Sequence, residues 1–207
     1  MTHPKVPRQP PQQLALEPSD LVTLQPTLWR IHRTTGDQLR AWDGFRTFGP
    51  LASARFDPHP LPAAEHPGYG VLNAATDLDT AIAEVFQATR LINTHTGAPH
   101  LTGWTPTRPL QLLDLTGTWP IRNHASAALA TAPRPTCRAW ARAIHSQWPD
   151  LDGLLSPSTM TTTPTITLWE PSASAIPRRP DFSRPVNHPM LWTLVQHAAA
   201  RIGYDLI

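Results

Sequence analysis

The stretch Gly70-Val-Leu-Asn-Ala-Ala-Thr-Asp77-Leu-Asp-Thr-Ala-Ile-Ala-Glu84-Val-Phe86 carries two patterns back to back. Gly70–Ala75 is a short apolar run with the composition of a strand. Asp77 then stands where a helix N-cap belongs. Leu78, Ala81, Ile82, Val85, Phe86 and Thr89 follow at the spacing of one helical face. Outward from this unit, Thr27–Arg33 alternates as a strand, with Arg30 and His32 opposite Trp29 and Ile31. Residues 34–50 and Pro58–Gly70 hold turn formers and read as loops, the second as a lid. Ser53–Asp57 is a short strand-like segment closed by Pro58. Strands are expected at 109–115, 153–158 and 165–169, and a helix at 136–148 in which Trp140, Ile144 and Trp148 share a face. A terminal helix, 190–202, starts after Pro189 and stops at Gly203. Strands interleaved with a few helices give an α+β fold with a substantial curved sheet.

Composition narrows the function classes. The 207 residues include 25 Pro, 8 Trp and one Cys, and the charged fraction is 15% against about 25% in ordinary domains. A lone Cys137 excludes a disulfide framework and a multi-thiolate metal site, and no histidine pair has zinc-ligand spacing, so no metal is expected. A formal charge of +2 with no dense Lys/Arg stripe argues against direct nucleic-acid binding. No apolar run reaches the ~20 residues of a membrane span, and no secretory signal opens the chain, so a cytoplasmic protein is expected. Six prolines precede residue 27, and residues 1–20 read as a disordered arm. Residues 21–176 form the expected core domain, with 177–207 a Pro-rich connection and a terminal helix packed on it.

Several side chains invite chemistry. On a wheel of 100° per residue, Glu84 falls about 130° from the centre of the apolar face. A solvated glutamate is one reading. The other is a carboxylate at a pocket rim, because Ala81, Ala88 and Leu91 surround it. Arg30 and Arg55 sit in strand-like segments beside Trp29 and Phe56. They are ordinary edge arginines or a fork for a phosphate or pyrophosphate, which Arg33 and Arg46 would enlarge. Ser156 and Ser158 flank Pro157 without the glycines of G-x-S-x-G, and Gly68-Tyr-Gly70 lacks the dinucleotide fingerprint. The pairs Asp77/Asp79 and Asp150/Asp152 flank helices and read as caps.

Taken in order, Arg30 in LWRIHR, Arg55 in ARFDP, Glu84 in GVLNAATDLDTAIAEVF and Ser158 in DGLLSPS resemble the RES-domain family over residues 27–176. The resemblance implies an ADP-ribosyltransferase-like, curved and split β-sheet. It also implies a toxin that cleaves the nicotinamide–ribose bond of NAD⁺ as a glycohydrolase or, with inorganic phosphate as co-substrate, a phosphorylase. NAD⁺ would be substrate, and no other cofactor is implied. Glu84, Arg30 and Ser158 would be the catalytic groups. Arg30, Arg55, Phe56, Tyr69, Asn73 and Ser156 would line the NAD⁺ site. Relatives carry Tyr where this chain has Asn73 and Ser156, and Tyr69 and Phe56 would replace those rings. The implied partner is an Xre-like helix-turn-helix antitoxin, with a homodimer left open. A protein ADP-ribosyltransferase and a non-catalytic partner-binding domain are the alternatives.

Overall fold

The computed structural model describes residues 4–36 and 39–207. The strands are β1 (Leu21–Leu24), β2 (Leu28–Arg33), β3 (Phe48–Gly49), β4 (Ala64–Glu65), β5 (Val71–Ala75), β6 (Leu91–Ile92), β7 (Pro99–Trp104), β8 (Leu110–Asp114), β9 (Gly153–Pro157), β10 (Pro164–Trp169), β11 (Phe182–Pro185) and β12 (Asp205–Leu206). The helices are α1 (Leu78–Phe86), α2 (Trp119–Arg122), α3 (Arg134–Gln147) and α4 (Pro189–Ile202). Eight strands make one sheet in the order β1-β8-β9-β10-β5-β2-β7-β11, antiparallel throughout except for the β8–β9 pair. The α+β expectation is met.

The sheet is two sheets barely joined. β5 pairs with β10 over five residues, and β2 pairs with β7 over six. β5 and β2 meet at one register pair, Trp29↔Ala75. Where they part, a cavity opens. One face of the first half packs on α3: Val71, Leu113, Leu154 and Trp169 bury against Trp119, Trp140 and Ile144. On the second half, Ile31 and Leu101 bury against Ile82 of α1 and Leu191, Val195 and Ala198 of α4. Leu28, Leu72, Trp104, Ile166 and Leu168 form a third cluster. The C-terminal helix is thus part of the core, and β12 adds a parallel pairing to β6.

Four expectations need correcting. The described part of the N-terminal arm is packed. Leu14 lies in the core cluster, Trp140 Nε1 donates to the Pro7 carbonyl at 3.0 Å, and Trp119 Nε1 donates to that of Ala15 at 2.8 Å. A Pro-rich extended segment leaves its carbonyls free of internal bonds, and two buried indoles use them. Arg55 lies in a loop, not a strand. The α1 helix ends at Phe86, and its buried face runs through Thr80–Ala83, leaving Val85 48% exposed. Finally, β7 and β11 arise from segments with no clean alternation. Four consecutive residues of β7, Leu101–Trp104, are buried, and Gly103 admits the Trp29 ring, which a Cβ would meet at 2.7 Å.

Candidate active site

The cavity at the split has a volume of about 440 Å³ and draws on both halves of the sheet. Trp29 and Arg30 come from β2. Asn73 comes from β5, Ser156 from β9, Thr165 and Thr167 from β10, and Glu84, Val85 and Gln87 from α1 and its end. The loop before β5 supplies Arg40, Arg46, Arg55, Phe56 and Asp57. Alternation along β5, β9 and β10 divides one sheet face in two. Val71, Leu154 and Trp169 are the apolar part under α3. Asn73, Ser156, Thr167 and Thr165, displaced from these by two or four residues toward the same end of the sheet, are a polar floor.

Glu84 is placed by α1, whose N-terminus Asp77 caps by accepting from Thr80 N at 2.8 Å. Ser158, just past β9 and buried, donates its Oγ–H to Glu84 Oε1 at 2.6 Å. The same Oγ accepts from Met160 N at 3.0 Å and Thr161 N at 3.2 Å, so the turn after β9 holds the hydroxyl while the hydroxyl holds the carboxylate. Gln87 Nε2 donates to Oε2 at 3.2 Å. Glu84 and Ser158 therefore come together, but it is Glu84 that lines the cavity and Ser158 does not.

Five arginines and two carboxylates, Glu84 and Asp57, line this space. Arg30 Nη1 donates to the Trp42 carbonyl at 3.0 Å. Burial and then the charge of Arg40 pull its pKa down to about 10, still protonated at neutral pH. Arg40 is lowered in turn by burial and by Arg46. Arg55 Nη1 donates to the Ala132 carbonyl at 2.7 Å and to Cys137 Sγ at 3.7 Å. Burial pushes the Cys137 thiol up, which makes it a neutral partner. Of the expected site residues, Arg30, Arg55, Phe56, Asn73, Glu84 and Ser156 share the cavity. Tyr69 lies outside it, stacked on His145 with ring centroids 4.8 Å apart. Arg33 is exposed and outside it too. Arg40, Arg134, Thr165 and Thr167 were not foreseen. The two threonines could have been read from the alternation of Thr165-Ile-Thr-Leu-Trp169, whereas Arg40 in a loop and Arg134 at the start of α3 have no local signature.

The RES domain family matches residues 27–187. The chain belongs to the RES-domain family. The match reaches eleven residues beyond the 27–176 resemblance, and that extension includes edge strand β11. No curated protein matches the sequence. Among solved structures, a chain of the M. tuberculosis MbcT–MbcA toxin–antitoxin complex superposes with a TM-score of 0.58 at 15% identity, covering 87% of this chain and 92% of that one. At that identity the likeness establishes a shared fold. Among the described residues no cluster of ligating side chains could hold a metal ion, and no helix is long and apolar enough to cross a membrane.

Proposed function

We propose that this RES-domain protein is a toxin that cleaves the nicotinamide–ribose bond of NAD⁺. The observation that carries the reading is Glu84, hydrogen-bonded by Ser158 at 2.6 Å, in a cavity that also holds five arginines. Breaking the N-glycosidic bond sends its electron pair to nicotinamide and leaves positive charge on the ribose. A carboxylate beside that carbon stabilises the oxocarbenium-like transition state and accepts a hydrogen bond from a ribose hydroxyl. Arg30 and Arg55 supply donors for the pyrophosphate. Asn73 and Ser156, which stand where relatives carry a ring, offer amide and hydroxyl groups to the ribose and carboxamide together with Thr165 and Thr167.

Water or inorganic phosphate completes the reaction by adding to the ribose carbon with loss of a proton, giving ADP-ribose or its 1″-phosphate. The partner in this reading is an antitoxin, which the likeness to a chain of a toxin–antitoxin complex supports; its Xre-like helix-turn-helix type and a cytoplasmic location are part of the proposal. The test is NAD⁺ loss with purified protein, with and without phosphate, beside Glu84→Gln. The wild type is expected to consume NAD⁺, and the variant to be about 10²–10³-fold slower. NAD⁺ left intact by both proteins overturns the activity. Label appearing on protein in place of free ADP-ribose reassigns the acceptor.

A further inference from the structure

Arg46 is held in an unusually complete cage. It is 7% exposed, and its backbone N and O both bond to Val71, at 2.9 and 3.0 Å. Its Nη2 donates to Asp57 Oδ2 at 2.8 Å and its Nη1 to the Phe48 carbonyl. Asp57 is fully buried and accepts four hydrogen bonds: from Arg46, from Leu51 N at 2.9 Å, from His59 N at 3.3 Å and from the His59 ring at Nδ1. His59 is fully buried as well, with Tyr69 and His66 against it at ring-centroid distances of 6.3 and 5.8 Å. The loop backbone is cut to fit. A Cβ on Gly49 would come within 2.6 Å of His59 Nδ1 and 2.7 Å of Arg46 Nη1.

A buried ion pair of this kind is weak evidence for stability, since an apolar pair of similar volume often does as well. What it does here is fix a charge. Arg30, Arg40 and Arg46 line the same cavity, where the charge of Arg40 disfavours that of Arg30 and the charge of Arg46 disfavours that of Arg40. Among the described residues neither Arg30 nor Arg40 forms an ion pair. Asp43 and Glu65 offset part of this repulsion, and an anion entering the cavity would relieve the rest. Asp57 spends its acceptors on Arg46 and the loop, so it orients that guanidinium without filling the cavity. Arg46 keeps N–H groups beyond the two engaged by Asp57 and Phe48.

We infer that Asp57 and His59 are positioning residues, a buried pair that holds the Arg46 guanidinium in one orientation at the cavity wall as a donor for a phosphate-bearing ligand. The inference rests on the proposed NAD⁺ site only for the identity of that ligand. With the Asp57 carboxylate as acceptor, His59 carries its proton on Nδ1, and its ring holds Oδ1 while Arg46 holds Oδ2. Tyr69 belongs to this support and not to the substrate surface.

Calorimetric titration of inorganic pyrophosphate into the Glu84→Gln protein tests the pair without turnover. Arg46→Ala, Asp57→Asn and His59→Leu are each expected to weaken binding about tenfold or more, the loss of roughly one charge-assisted hydrogen bond. His59→Asn, whose amide can donate from near the place of Nδ1, is expected to recover binding to within about threefold. In the active protein, His59→Leu is expected to raise KM for NAD⁺ about tenfold with kcat changed less than about threefold. Nitrogen NMR of wild-type histidines needs no variant. His59 is expected as the Nδ1–H form, with a resonance that moves when pyrophosphate binds.

Pyrophosphate binding undiminished in His59→Leu, or a fall in kcat at constant KM, overturns the positioning role. So does a His59 resonance indifferent to the ligand. A protein that spares NAD⁺ but loses pyrophosphate affinity with Arg46→Ala and His59→Leu refutes the proposed activity and leaves the positioning role standing.

Discussion

Ser158 serves Glu84 and its own turn with one oxygen, so its loss has two separable effects. In Ser158→Ala the Met160 and Thr161 N–H groups lose their acceptor and Glu84 loses its donor. We expect a stability loss of about 1–3 kcal/mol in denaturant titration and a fall in NAD⁺ cleavage approaching 10²-fold from a misplaced carboxylate. Titration behaviour is also set residue by residue. Burial alone would raise the Asp57 carboxyl, but the His59 hydrogen bond, the Leu51 N–H and the Arg46 charge outweigh it and hold its pKa near about 2. Burial, and then His59, lower His145. Both shifts have the same sign for stability, because in each case the unfolded chain binds the proton more readily. The His145 contribution is lost as pH falls below the usual imidazole value of about 6.5, and that of Asp57 is lost between about 4 and 2. Melting temperature should decline in those two steps, and His145→Phe, which removes the titrating ring, should flatten the first.

At the scale of the element, two short pieces of chain set the site. Asp77 stops the strand and starts the helix that carries Glu84, so Asp77→Ala is expected to cost about 1 kcal/mol and to lower activity more than an equal destabilisation elsewhere. β9 reaches the cavity floor because Gly153 lets its backbone lie against β10. A Cβ there would sit 2.1 Å from the Thr167 carbonyl. Gly153→Ala should therefore part the two strands, at a cost of several kcal/mol visible as lost soluble yield. Both devices were legible beforehand, Asp77 as a cap and Gly153 as a strand start. The direction of the α1 face was only partly legible. Leu78, Ile82 and Phe86 pack against the core, while Val85 turns to the cavity, since the helix lies between the sheet and α4 and buries a wider arc than its apolar stripe.

For the whole molecule, the N-terminal segment and the split sheet matter most. Residues 4–16 cover Trp119, Trp140 and Gln147, so deleting them uncovers a core cluster and removes acceptors from two indoles. The deletion should lower the melting temperature by roughly 5–10 °C, read by calorimetry. The cavity field is a property of the assembled fold, because its arginines come from β2, the 40–55 loop and the start of α3. ADP-ribose affinity should therefore weaken steadily as salt is raised, though less for buried Arg46 than for the others.

Local pattern was enough to determine the β5–α1 unit, its cap, the strands at 28–33 and 153–157, the terminal helix, and the order Arg30, Arg55, Glu84, Ser158. Those features follow from periodicity and backbone chemistry within a few residues. Only the tertiary structure decided that Ser158 holds Glu84 from 74 positions away, that Tyr69 stacks on His145 outside the cavity, and that the Pro-rich N-terminal segment packs on the core through Leu14. Each of these depends on which surfaces meet when a sheet splits at one residue pair. No single segment encodes that meeting, because its energy lies in contacts between side chains far apart in the chain.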